Sequence, residues 1–218
     1  MNKPRKWLKK YTKLEYLEGI LRKHSLYLGD VDTWPDKNDA FCVNHAYRCG
    51  ARVVCLTNGD DRFHFWSDYA SAHDGVCLWF DSKELLKELR KNSRLDTGWV
   101  AYPKRNTETE KLSFQDGQRP KNSAFVKREQ YADEREFRIV SPEPNGNDSW
   151  IAFPKSSLKK IYLNAWMREC CVSREKDRIR ELLDRYGYEQ GSVEVLQNRV
   201  LDHHNWKLSV ENEFPQEP

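Results

Sequence analysis

Leu14, Leu17, Ile20 and Leu21 recur at three- and four-residue spacing, which predicts an amphipathic helix over residues 13–23. Thr12 stands at the N-cap position, and Glu15 three residues on completes a capping box. Residues 25–28 read as a short strand. Residues 33–39, TWPDKND, are turn formers and predict a loop, with Phe41 anchoring it to the core. Residues 51–57, ARVVCLT, are nearly all apolar, the pattern of a centrally buried strand. Phe63, Phe65, Trp66 and Tyr69 predict a short helix with its aromatic face inward, and residues 76–80 form a second strong strand. Leu85, Leu86 and Leu89 place a helix over residues 82–90, capped by Ser82.

Further along, residues 99–102 predict a strand. Residues 104–122 are polar, carry Gly117 and Pro120, and predict a mobile loop with one helical turn. Residues 142–148 read as a loop, and residues 150–153 and 158–163 as strands. Ser173 caps a helix to Tyr186 that Gly187 stops, and residues 193–196 form a terminal strand. This order is too irregular for a doubly wound parallel sheet. It predicts one α+β domain over residues 8–205, a mixed or antiparallel sheet of about six to eight strands with peripheral helices. Residues 1–7 read as a basic tail and residues 206–218 as a C-terminal tail.

The central stretch is YADEREFRIV, residues 131–140. A strand beginning near Glu134 puts Glu134, Glu136 and Arg138 on one face and Arg135, Phe137 and Ile139 on the other. Two carboxylates and a guanidinium backed by apolar residues form a candidate reaction centre. The alternative is a solvated strand edge with an internal ion pair.

Composition narrows the picture. The chain is 38% hydrophobic and 33% charged, and 8 Trp, 10 Tyr and 9 Phe suffice for a folded core. A net charge of +3 does not by itself imply a nucleic-acid partner. No apolar run reaches membrane-span length, and the basic start lacks a following apolar region, so neither a membrane nor a secretory signal is expected. The 6 Cys show no C-x-x-C pair and no zinc spacing, so no metal is expected and a cytoplasmic setting is the simplest. There is no Gly-rich phosphate loop and no G-x-S-x-G elbow.

Four segments resemble a bacterial and phage domain family of unknown function. They are KYTKLEYLEGILRKHSLYL, WPDKNDAF with Ala40 where that family has proline, FWSDYASAHDGVCLWFD, and EREFRIV. The layout is also similar to the ADP-ribosyltransferase superfamily. Lys10-Tyr11-Thr12 before Gly19-Ile20-Leu21 would be its opening strand and helix, and Glu134-Arg135-Glu136-Phe137 its closing strand. Tyr11 departs from the His or Arg expected there. The resemblance implies an ADP-ribosyltransferase-like fold, NAD as the substrate cofactor, a protein or nucleic-acid acceptor, and a role as a toxin or phage-conflict effector.

On that resemblance Glu136 stabilises an oxocarbenium-like transition state and Glu134 activates the acceptor. Tyr11, Thr12, Trp66 and Tyr69 would bind the cofactor, with the three aromatic rings as a flat wall, or the rings would simply pack the core. Asn38 and Asp39 would position ribose hydroxyls, or cap a turn. His73 would contact phosphate or act as an acid, or be structural. Arg138 would bind phosphate or pair with a glutamate. Lys127 reads as solvated. Two other readings stay open: a metal-dependent nuclease using Asp39, Glu134, Glu136 and Lys127, and a non-catalytic module binding nucleic acid or protein.

Overall fold

The computed structural model describes residues 6–47, 50–70, 74–115, 117–142, 149–201 and 204–214. In chain order the elements are β1 (Trp7–Lys13), α1 (Leu14–Lys23), β2 (Ser25–Tyr27), β3 (Gly29–Asp30), α2 (Lys37–Tyr47), β4 (Arg52–Thr57), α3 (Phe63–Tyr69), β5 (Gly75–Asp81), α4 (Ser82–Leu89) and β6 (Asp96–Trp99). There follow β7 (Lys104–Arg105), β8 (Leu112–Ser113), β9 (Glu136–Ser141), β10 (Trp150–Ala152), β11 (Leu158–Leu163), α5 (Glu169–Arg185), β12 (Glu194–Gln197) and α6 (His204–Glu213). The 8-stranded sheet has the order β12-β11-β5-β1-β4-β9-β6, with β3 also on β4. Its pairs are antiparallel except β11 with β12. The architecture is therefore α+β with a mixed sheet, as the element order implies.

The period of two along the strands divides the core. Leu8, Val54, Leu78 and Ile139 face α1, α4 and α5 in one large cluster. On the opposite face, Tyr11 and Cys77 pack with Phe65 and Trp66 of α3. Val53 and Val140 pack there with Ala40 and Val43 of α2. Each large side chain so buried contributes roughly 1.5–3 kcal/mol. The sheet thus carries three helices, α1, α4 and α5, on one side and two, α2 and α3, on the other.

Several local expectations are corrected. β1 pairs with β5 over every position from Trp7↔Asp81 to Lys13↔Gly75. That pairing draws Trp7 out of the expected tail and Thr12 out of the expected capping box. Lys13 is the N-cap of α1 and makes no side-chain capping bond. The loop expected at 33–39 ends in α2, and Phe41 is 66% exposed, stacked on His45 rather than anchored in the core. Asp81, not Ser82, caps α4 by accepting from the Lys83 and Glu84 amides. Ser173 lies inside α5, which starts one turn earlier. The strand expected at 99–102 ends at Trp99 as β6. The polar stretch at 104–122 contains the β7–β8 hairpin. Part of the expected C-terminal tail is α6, which buries no residue. Of the loop expected at 142–148, residues 143–148 lie outside the described residues.

Candidate active site

A split in the sheet creates the site. β4 touches β1 only at Lys9↔Thr57, whereas β3 holds the other end of β4 at Gly29↔Val53. Between these contacts β1 and β4 diverge, and a cavity of about 790 Å³ opens there. That volume falls within the ~300–1,000 Å³ of ligand clefts. Tyr16, Tyr27, Trp34, Tyr69, Tyr131 and Trp150 give it aromatic walls. Asp39, Lys127, Glu134 and Glu136 meet on one side of it.

Four segments converge to build that acidic side. Glu136 opens β9, and its amide donates to the Tyr102 hydroxyl at 2.9 Å. Glu134 is not on the strand. It ends a 3-10 helix, Glu129–Glu134, and Arg135 follows in the left-handed region at φ 45°. This kink replaces the expected continuous strand, so the two glutamates converge without sharing its alternation. Asp39 enters from the first turn of α2, and Lys127 precedes the 3-10 helix. Asp36 caps α2 through the Asn38 and Asp39 amides and accepts from Arg128 at 2.9 Å, tying α2 to the 3-10 segment.

The charges are interlocked. Lys127 Nζ donates to Glu134 at 2.6 Å and to Glu136 at 3.2 Å. Arg138 Nε donates to Glu136 at 2.5 Å, and its NH2 group donates to both Asp39 oxygens at 2.6 and 2.7 Å. Its NH1 group donates to the Ala124 carbonyl at 2.8 Å. Tyr69 donates its hydroxyl to Glu134 at 2.7 Å. Arg138 is fully buried and Glu136 is 3% exposed. Unpaired charges at that depth would cost several kcal/mol each, so the pairing is obligatory.

These surroundings separate the two glutamates. Burial disfavours ionisation of Glu136, but Arg138 and Lys127 outweigh it and hold the carboxyl well below the usual range. Burial pushes Glu134 up; Lys127 opposes this only in part and the Glu136 charge adds to it. Burial also raises Asp39, against the pull of Arg138. The pair therefore presents one fixed carboxylate and one carboxyl suited to exchanging a proton.

The sequence candidates fall into distinct places. Tyr11, Thr12, Asp39, Tyr69, Glu134 and Glu136 all line the cavity. Arg138 sits behind them and pairs with Glu136 and Asp39, the ion-pair alternative of its two readings. Trp66 is fully buried and takes the core alternative, edge-on to Tyr11 at 5.2 Å with its indole N–H donating to Asp61. Tyr11 turns its hydroxyl away to Asp61 at 2.6 Å. Asn38 lies outside the lining and bonds Asp36, the capping alternative. His73 lies outside the described residues. Lys127, expected to be solvated, is 9% exposed and bridges the glutamates. Tyr102 and Trp34 carry no candidate site role in the sequence, and Lys10 enters it only as part of the opening strand. Only the proximity of β1 and β4, invisible in one sequence, brings Lys10 to the cleft.

No curated protein matches the chain. The profile of a protein family of unknown function, DUF2971, matches residues 65–139. That span holds the Trp66–Cys77 and Glu134–Arg138 motifs. Among solved structures, the chain is similar to Thermus sp. 2.9 DarT in complex with ADP-ribosylated ssDNA. The TM-score is 0.47 at 12% identity, over 89% of this chain and 94% of that one. The same protein in complex with carba-NAD+ gives a TM-score of 0.45 at 11% identity, over 91% and 98%. In complex with NAD+ it gives 0.43 at 10% identity, over 88% and 96%.

Proposed function

We propose that the chain is an NAD-consuming ADP-ribosyltransferase. The observation that carries the reading is the Glu134–Glu136 pair, bridged by Lys127 on the wall of an aromatic cleft. Cleavage of the nicotinamide–ribose bond develops positive charge on the ribose. Glu136, held ionised, stabilises that charge, and Glu134 takes the proton of the acceptor. The aromatic walls offer flat surfaces to nicotinamide and adenine. Tyr69 fixes one Glu134 oxygen and so sets the direction in which that carboxyl meets the acceptor. The acceptor is a protein or a nucleic acid.

The nuclease reading loses support on the same geometry. Its carboxylates are already neutralised by Arg138 and Lys127, and among the described residues no group of three His, Cys, Asp or Glu side chains is placed to hold a metal ion. The test is incubation of the chain with adenine-labelled NAD and a cell lysate. Label should appear on macromolecules, and nuclease or protease digestion then names the acceptor class. No transfer of label and no release of nicotinamide would contradict the reading.

A further inference from the structure

The cleft holds an amine that glycosyl transfer does not use. Lys10 lies on β1, half-buried, and lines the cavity. Its Nζ meets the Cys55 carbonyl at 3.4 Å, on the β4 edge left open between β1 and β3. It forms no ion pair among the described residues. The other cavity lysines differ. Lys9 donates to the Gly59 carbonyl at 2.9 Å and lies over the Trp79 ring, and Lys127 is claimed by two glutamates. An ammonium has three donors to satisfy, whereas a neutral amine can give one N–H to Cys55 and keep its lone pair free. Burial pushes the Lys10 amine down from its ordinary value, against smaller upward pulls from Cys55 on β4 and Glu136 on β9. The other charged groups on the cavity are Glu15, Asp36, Asp39, Glu134 and the two lysines just named.

We propose that Lys10 is a carbonyl-reactive amine that forms a Schiff base with an aldehyde entering the cleft, the open-chain form of a pentose included. The Nζ lone pair attacks the carbonyl carbon, a C–N bond forms, and the oxygen takes up a proton. The resulting carbinolamine loses its hydroxyl as water, and the C–O bond breaks as the imine forms. Amine and aldehyde thus give imine and water, with no oxidant or reductant consumed. Lysines partly withdrawn from water and with no paired carboxylate are suited to this step.

The test treats the full chain with glycolaldehyde, and separately with D-ribose 5-phosphate, each with cyanoborohydride to trap the imine. Peptide mass spectrometry then reads each lysine. At neutral pH Lys10 should be modified at least about tenfold faster than exposed Lys83 and Lys87, because burial leaves a larger share of its amine unprotonated. Lys10→Arg carries no amine that can form an imine, should remove that fast modification, and should leave the rates at Lys83 and Lys87 unchanged. Wild-type Lys10 labelled no faster than Lys83 and Lys87 by either probe would overturn the proposal. Fast labelling by glycolaldehyde alone would overturn the pentose part. No NAD is present, so this outcome is separate from that of the glycosyl-transfer reading.

Discussion

Glu136 and Lys127 show how much of this site is electrostatic. Replacing Lys127 with Met leaves Glu134 buried without its cation, and at neutral pH should cost about 3–5 kcal/mol of unfolding free energy. The loss should shrink in acid, because Glu134 then escapes its buried charge by protonation. Urea unfolding across pH measures this directly. The wild-type acid limb has its own signature. The folded Glu136 carboxyl lies below its unfolded value of about 4.3, so its stabilisation is complete above that pH and is lost as pH falls below it. Glu134 and Asp39, both raised, have the opposite sign: their contribution is present in acid and lost as pH rises through their folded values. Glu136→Gln should therefore flatten the stability profile between about pH 3 and about pH 4.3. At this scale the sequence showed that Glu134, Glu136 and Arg138 are close neighbours in the chain. The nuclease alternative grouped Asp39 and Lys127 with the two glutamates, but nothing in the residues required it, because those contacts depend on where the 3-10 segment and α2 pack.

The 3-10 segment that delivers Glu134 is held by a turn after β4. Thr57 donates its hydroxyl to the Glu134 carbonyl and accepts from the Gly59 amide at 2.9 Å. A Cβ at Gly59 would lie 2.3 Å from the Asp133 carbonyl oxygen. Gly59→Ala must therefore push the segment away, with an expected cost of about 1–3 kcal/mol and a loss of turnover larger than the loss of NAD affinity. Calorimetry for binding and nicotinamide release for turnover separate the two. Strands 52–57 and 75–81 were readable because runs of Val, Leu, Cys and Phe need burial on both faces, and 158–163 because Leu158, Ile161 and Leu163 punctuate it with apolar positions. α2 was not, because its buried positions are only Asp39, Ala40 and Val43, one of them charged. The Arg135 kink was hidden as well, since nothing in the residue itself announces a left-handed backbone.

At the level of the whole molecule, one departure from regular pairing makes the cleft. A sheet in which β1 and β4 stayed paired would close over Cys55 and leave the acidic cluster as a buried knot. Because they part after Lys9↔Thr57, distant pieces of chain meet around an open volume. Composition and periodicity anticipated the α+β class and most of the central strands. The split was beyond them, because a strand's residues do not reveal how much of its edge finds a partner. Among the described residues no helix is long and apolar enough to cross a membrane.

The most direct test compares wild type and Glu136→Gln for nicotinamide release from NAD, with thermal unfolding and NAD affinity measured on the same samples. The account predicts that the variant stays folded, binds NAD and releases nicotinamide about 10²–10³-fold more slowly. Equal rates in the two proteins would contradict it.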